Sequence, residues 1–135
     1  MNMAALGSNE NVINRVFFMS YSNQQQQISL RQQLTERYLM FTNEILPKQA
    51  LLGHVRWPVT ENHCFRRIVM DAVCGGVWQR HISAPAYKNM TIEQLKKALH
   101  ICECIHNGSM DINMLNAQSL AWRKQQQSRQ LSLSL

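Results

Sequence analysis

The 135-residue sequence contains few of the residues that interrupt helices, with only five glycines and three prolines. Strand-rich folds of this size need many tight turns, which glycine and proline usually supply, so their scarcity favours helices. The sequence also lacks an apolar run near the ~20 residues that span a bilayer, and its N-terminus lacks the basic-then-apolar order of a signal peptide. We therefore expect a soluble, cytoplasmic protein that makes no use of a membrane.

The familiar catalytic signatures are missing as well. The sequence has no glycine-rich phosphate loop, no Gly-x-Ser-x-Gly elbow and no His-Glu-x-x-His pair. A nucleophile pair could be assembled from Cys64 or Cys74 with His63 or His81, although no spacing fixes its geometry. On these grounds we expect that the protein uses no cofactor. We favour a binding protein over an enzyme.

Acidic residues are few compared with basic ones. The chain has 14 Lys and Arg residues against eight Asp and Glu, a net charge of +6 and a pI of about 9.5. This excess favours an acidic partner such as nucleic acid, although a merely soluble basic surface has the same composition. Because the cations occur singly or in pairs, no polybasic tract marks the binding surface.

Both ends of the sequence are polar and rich in Ser and Gln. We predict a flexible N-terminal arm over residues 1–28, a single helical domain over 29–124 and a polar tail over 125–135. A short strand over 15–21 and an extension of the last helix into the tail are the alternatives at the two ends.

The first two predicted helices are recognised by their caps. Ser29 and Gln32 match a capping box, and Pro47 should end the first helix. A second helix should run from Glu61 to Cys74 with Thr60 as its N-cap and Gly75-Gly76 as its stop. Residues predicted to be buried on these two helices are Leu30, Leu34, Tyr38, Phe41, Ile45, Phe65, Ile68, Val69, Ala72 and Val73.

Two further helices follow a short helical turn and loop over 77–90. Thr91 and Gln94 form another capping box, and Asn107-Gly108 should end that helix. Ser109 or Asp111 should open the last one. We therefore predict an all-α fold, a compact bundle of about four principal helices with polar termini. Residues predicted to face inward on the third helix are Ile92, Leu95, Ala98, Leu99, Cys102 and Ile105.

Metal-ligating residue types are concentrated in the run His100-x-Cys102-x-Cys104-x-His106. At 100° per residue, Cys102 and His106 lie on the apolar side of a helix, while His100 and Cys104 lie on the polar side. One helix therefore cannot turn all four toward a tetrahedral ion, and we predict no metal site. A site that combines one i,i+4 pair with His63 or Cys74 is the open alternative. Without a secretory signal, we expect all four cysteines to be free thiols.

His63, Arg67 and Asp71 recur at intervals of four along the second helix and are the main catalytic candidates. On one edge, the histidine could act as a general base, the arginine could hold an anion and the aspartate could orient either one. We favour the alternative, a surface ion pair between Arg67 and Asp71 that contributes only a few tenths of a kcal/mol.

Arginine and tryptophan residues surround the same helix. Guanidinium groups bind phosphate and aromatic faces accept stacked bases, so the neighbourhood favours a nucleic-acid or protein interface. For Trp57, Trp78 and Trp122 taken singly, a place in the core is the preferred interpretation. The residues predicted to bind the partner are Arg66, Arg67, Trp78, Arg80, His81, Arg123 and Lys124.

A further set of motifs extends across the predicted domain: Trp57-Pro58-Val59, His63 to Ile68, Asp71, Gly76-x-Trp78, Pro85-Ala86-Tyr87, Gln94-Leu95 and Asn116 to Arg123. Together these motifs are similar to a family of small uncharacterised bacterial and mobile-element proteins, sometimes labelled GCN5-related acetyltransferases. The resemblance covers about residues 29–124, and the label implies acetyl transfer. Acetyltransferases of that type have a mixed sheet and a glycine-rich pyrophosphate loop, and this sequence predicts neither.

Three functions remain open on these grounds. The first is a basic, non-enzymatic helical module that binds nucleic acid or a nucleoprotein complex, as a mobile-element regulator or an inhibitor of host machinery would. The second is a small enzyme or accessory subunit that uses the His63, Arg67 and Asp71 edge on an anionic substrate. The third is a protein-protein adaptor. We favour the first because it accounts for the charge, the absence of catalytic motifs and the polar ends together.

Overall fold

The computed structural model describes residues 3–53 and 56–134, and these residues form helices and no strand. The predicted all-α fold is confirmed, with α1, α3, α5 and α6 as the four principal helices. None of the described helices is both long and apolar enough to cross a membrane. In chain order the elements are α1 (Met3–Met40), a π-helical turn (Phe41–Ile45), α2 (Leu46–Leu51), α3 (Asn62–Cys74), a 3-10 turn (Trp78–Arg80), α4 (Ala86–Asn89), α5 (Ile92–Asn107) and α6 (Ile112–Ser134).

The N-terminal end of the chain differs from the prediction. Helix α1 begins at Met3, so the start predicted at Ser29 and the strand over 15–21 are wrong. The sequence has no glycine or proline between positions 8 and 46, and glutamine is a good helix former, so nothing interrupts the helix. At the other end α6 continues to Ser134, which is the alternative considered for the tail. Residues 1, 2 and 135 of the predicted arm and tail lie outside the described residues.

Contacts divide the chain into two units, Met1–Gln33 and Leu34–Leu135. In the first unit, several apolar side chains of α1 are exposed, among them Ile13, Val16 and Met19. The second unit contains the hydrophobic core. Its buried apolar residues are Tyr38, Phe41, Leu46, Phe65, Ile68, Val69, Met70, Val73, Val77, Ile82, Met90, Leu95, Ala98, Leu99, Ile101, Cys102, Ile105 and Ile112.

Pro47 does not end the helical path, contrary to the prediction. It lies in the first turn of α2, where the fixed φ of proline fits the helical backbone. The π-helical turn Phe41–Ile45 immediately precedes this short helix. Such turns add one residue to a helical circuit. The chain therefore continues through Pro47, and Leu46 is buried in the core.

The caps of α3 and α5 show how local sequence sets helix ends. Thr91 and Gln94 form the predicted reciprocal capping box, and Gly75 ends α3 at a left-handed φ of 67°. The N-cap predicted at Thr60 is wrong, because α3 begins one residue later with Glu61 in the extended cap position. The Glu61 side chain makes no capping hydrogen bond. Instead, the side-chain oxygen of Asn62 accepts a hydrogen bond from the backbone N–H of His63 at 2.7 Å.

Candidate functional site

A buried carboxylate joins three elements of the second unit. Asp71 on α3 has no exposed surface. Its Oδ2 accepts hydrogen bonds from the Ser119 hydroxyl at 2.6 Å and from Arg123 Nε at 2.9 Å. Its Oδ1 accepts from Arg123 Nη2 at 2.9 Å and from the backbone N–H of Trp78 at 3.0 Å. Asp71 therefore anchors α6 and the 3-10 turn to α3 through four hydrogen bonds.

Arg67 lies one turn before Asp71 on α3 and bonds to two neutral acceptors on α6. Its Nη1 donates to the Ser119 oxygen at 2.6 Å and its Nη2 to Asn116 Oδ1 at 2.7 Å. The ion pair predicted between Arg67 and Asp71 is wrong, because the buried carboxylate pairs with Arg123 and reaches Arg67 only through Ser119. Arg67 is thus held in place while its charge is not neutralised.

These residues border a cavity of about 370 Å³. We call it the arginine cleft and define it by Arg66, Arg67 and Arg123 together with Tyr38, Trp78 and Tyr87. No aspartate or glutamate lines it, and neither Arg66 nor Arg67 has a carboxylate within 4.0 Å among the described residues. Arg123 differs because Asp71 neutralises it. The cleft therefore presents two guanidinium groups without a direct carboxylate partner beside aromatic rings.

Tyr38 forms a buried part of the cleft lining. Burial raises the pKa of its hydroxyl well above the ordinary value, and the nearby Cys102 adds to the rise, while Arg66 opposes it. The phenol is therefore neutral throughout the physiological range. A neutral hydroxyl can both donate and accept a hydrogen bond at this wall of the cleft.

His63 also lines the cleft but lies apart from the buried network. Its side chain is 64% exposed, and its Nδ1 lies 3.3 Å from the Glu61 carboxylate. Both oxygens of Asp71 are occupied by Ser119, Arg123 and the Trp78 backbone, so Asp71 does not orient His63. The three residues proposed as one catalytic edge are therefore divided between an exposed rim and a buried anchor.

Arg80 and His81 lie in a second cavity of about 400 Å³. We call it the second cleft and define it by Arg80, His81 and Arg129, with Trp122 and Gln126 also in its lining. Both Trp78 and Trp122 are partly buried. Trp57 is partly buried too, and its ring meets Phe65 edge-on at 5.8 Å, which agrees with the core interpretation. Lys124 is exposed and lines neither cleft.

The Cys and His run on α5 is divided between two sides of the helix, although His106, which was predicted on the apolar side with Cys102, is exposed. His100 and Cys104 contact each other at 3.5 Å, Cys102 is buried, and His106 bonds to Gln49 at 2.6 Å. Burial raises the pKa of the Cys102 thiol to about 12. Within residues 3–53 and 56–134, no group of three or more potential ligands of the His, Cys, Asp or Glu type converges.

The proposed nucleophile pairs do not meet. Neither Cys64 nor Cys74 has a histidine within hydrogen-bond distance in the described part of the chain. Burial raises the pKa of the Cys74 thiol, and the nearby Asp71 raises it further, so this thiol is poorly prepared to act as a nucleophile.

Sequence reasoning did not single out Ser119, Asn116, Tyr38 or Tyr87 as site residues. A signal for two of them was present, because Asn116, Ser119 and Arg123 follow the i, i+3, i+7 spacing that places side chains on one helix face. Tyr38 and Tyr87 carry no such signal, since they reach the cleft from the end of α1 and from α4.

No protein-family model, curated protein sequence or solved structure matches this chain. The family resemblance drawn from its motifs therefore stays a prediction.

Proposed function

We propose that this protein binds nucleic acid, with a backbone phosphate held by Arg66 and Arg67 and a base packed against the aromatic side of the arginine cleft. The observation that carries the proposal is the pair of guanidinium groups that line a cleft without an acidic partner. The net charge of +6 supports it, because a basic protein attracts polyanions from a distance.

Arg67 is suited to bind a phosphate because its orientation is already set. Ser119 and Asn116 use two of its five N–H groups at 2.6 and 2.7 Å, which leaves further donors for an anion. An arginine that is held before binding loses less side-chain entropy when the complex forms. Arg66, on the same helix, supplies a second fork-shaped donor.

The aromatic residues favour a nucleotide over a bare inorganic anion. Trp78 and Tyr87 line the same cleft as the two guanidinium groups and are partly exposed. Stacking of a base on an aromatic ring contributes about 1–3 kcal/mol and works with any base, because every base has a π face. A phosphate beside a base is the ligand that satisfies both sides of the cleft.

Binding fits the geometry better than catalysis does. A general base needs a partner that sets its orientation, and His63 has only the exposed Glu61 carboxylate at 3.3 Å. Asp71, the other titratable candidate, is fully engaged in holding α3, α6 and the 3-10 turn together. The site therefore supplies fixed donors and a surface for stacking, which is what a binding module requires.

The test is the affinity of the protein for fluorescein-labelled 20-nucleotide DNA and RNA, measured by fluorescence anisotropy. Arg66→Gln should weaken binding about tenfold, because a hydrogen bond to a charged group contributes about 1.5–3 kcal/mol. Lys48→Gln removes the same charge from an exposed position on α2 that lines neither cleft, and it should change the affinity less than about twofold. Equal losses in the two variants, or no binding by the unmodified protein, would refute the proposal.

A further inference from the structure

We propose that one strand of nucleic acid continues from the arginine cleft, over the 3-10 turn Trp78–Arg80, into the second cleft, so that the protein binds a run of nucleotides in single-stranded form. This inference rests on the proposed function, and it assigns a role to a cavity that the proposed function does not use.

The two clefts are neighbours along two elements. Trp78 and Gln79 line the arginine cleft, and the next two residues, Arg80 and His81, line the second cleft. Helix α6 repeats this arrangement, because Arg123 lines the first cleft and the adjacent Trp122 lines the second. A chain that leaves one cleft therefore needs to cross only the three-residue turn to enter the other.

The second cleft has the same charge character as the first. Arg80, His81 and Arg129 line it, and no aspartate or glutamate does. Two other cavities in the same unit show the opposite composition, since Asp111 lines both of them and neither contains an arginine or a lysine. Among these four cavities of the described residues, the two that flank the turn are therefore the arginine-lined ones, which is the distribution of positive charge that a continuous polyanion requires.

The spacing along α6 suits a short run of nucleotides. Arg123 and Arg129 are six residues apart, which corresponds to about 9 Å along a helix that rises 1.5 Å per residue. Successive residues also turn by 100° about the axis, so the two side chains lie about 120° apart around α6. A stacked nucleic-acid strand advances about 3.4 Å per nucleotide, so the axial separation alone corresponds to roughly three nucleotides. A strand of four to six nucleotides should reach both clefts.

Each cleft also contains a partly buried tryptophan, Trp78 in the first and Trp122 in the second. Stacking on these rings requires bases whose faces are open. The bases of a duplex are covered by their neighbours, whereas those of a single strand are available. The aromatic lining therefore favours single strands over duplexes.

The experiment measures anisotropy titrations of the full chain with fluorescein-labelled oligo(dT) and oligo(U) of 2, 4, 8 and 12 nucleotides, and with a 12-base-pair duplex. We expect affinity to rise steeply between 2 and about 6 nucleotides and then to level off. The 12-mer should bind at least about tenfold more tightly than the duplex. Comparison of the DNA and RNA series identifies which polymer the protein prefers.

Arg129→Gln is the decisive variant, because Arg129 is exposed near the end of α6 and lines only the second of the two clefts. It should weaken binding of the 12-mer about fivefold, leave the dinucleotide unaffected, and lower the salt-dependence slope by about 0.7. Lys48→Gln is the control for the loss of one positive charge, and circular dichroism checks that each variant is folded.

The outcomes separate this inference from the proposed function. If Arg66→Gln weakens binding but the dinucleotide binds as tightly as the 12-mer, or Arg129→Gln behaves like Lys48→Gln, the second cleft plays no part and only the proposed function stands. A duplex that binds more tightly than the single strand contradicts the inference in the same way. If no oligonucleotide binds, the proposed function itself fails.

Discussion

Asp71 is the residue on which the arrangement of the site depends. It accepts four hydrogen bonds from Ser119, Arg123 and the Trp78 backbone, and it reaches Arg67 through the Ser119 hydroxyl. A carboxylate in this position neutralises Arg123 and leaves Arg67 charged. Because Asp71 pairs with Arg123, the Arg123 guanidinium supports the fold. The Arg67 guanidinium lines the cleft without a direct ion pair.

The first prediction concerns the buried pair of Asp71 and Arg123. Asp71→Asn should lower the free energy of unfolding by about 3 kcal/mol, because removing one charge of a buried pair leaves its partner uncompensated. This value is the lower end of the range of stability losses known for broken buried ion pairs. We expect the lower end because the Arg123 side chain keeps 26% of its surface exposed and can still reach water. Urea unfolding followed by circular dichroism measures the effect.

The matched control is Glu93→Gln. Glu93 also pairs with a cation, but its i,i+3 partner Lys96 lies on the surface, and the side chains are 85% and 51% exposed. Exposed pairs of this kind contribute less than about 1 kcal/mol. If Asp71→Asn costs no more than Glu93→Gln, the buried network does not stabilise the fold and the proposed anchoring of the cleft loses its basis.

At the scale of single elements, helix caps could be predicted where side-chain and backbone signals agree. Thr91 and Gln94 form their capping box as predicted, since both partners are local and the preceding residues leave the backbone extended. Ser29 and Gln32 carry the same pattern within an uninterrupted helix, where no N-terminus exists to cap. A capping box is therefore informative only where the helix is interrupted upstream.

Contacts between helices were harder to predict than helix caps. The i,i+4 spacing correctly placed Arg67 and Asp71 on one face of α3, but the partners that decide their roles, Ser119 and Arg123, lie about 50 positions away on α6. Periodicity within one helix contains no information on which residues of another helix pack against it. Most of the buried face of α5 was predicted, because burial depends mainly on its own apolar stripe, although Ile101 was missed and Ile92 is only partly buried.

The second prediction compares two threonines. Thr91→Ala should lower the free energy of unfolding by about 1 kcal/mol, because the Thr91 hydroxyl accepts the backbone N–H of Gln94 at 3.1 Å and no other group replaces it. Thr60 is exposed and precedes the cap position of α3 without a capping bond, so Thr60→Ala should change stability by less than about 0.5 kcal/mol. Urea titration of both variants tests this, and equal losses would show that threonine content, and not capping, determines the effect.

At the scale of the whole molecule, the apolar core and the two clefts of the proposed function lie in the second unit. The apolar core extends from Tyr38 to Ile112, and both arginine-lined clefts also lie within Leu34–Leu135. By contrast, described apolar side chains of the first unit such as Ile13 and Met19 are exposed. Residues that remain exposed contribute little hydrophobic free energy to folding.

The last prediction follows from that separation. A chain that lacks residues 1–28 should keep one cooperative unfolding transition with a free energy of unfolding within about 1 kcal/mol of the full-length value, because the retained part contains all of the core cluster found among the residues of described burial. Ser29 would then stand at a true helix start, where its hydroxyl could accept the Gln32 N–H as its sequence pattern predicts. Circular dichroism should show less helical signal, since most of α1 is removed.

The control is Leu95→Ala in the full chain. It should lower the free energy of unfolding by about 2–5 kcal/mol, which shows that the measurement detects damage to the core. A truncated chain that unfolds without a cooperative transition would show that the first unit is part of the folding unit, contrary to the division seen in the contacts.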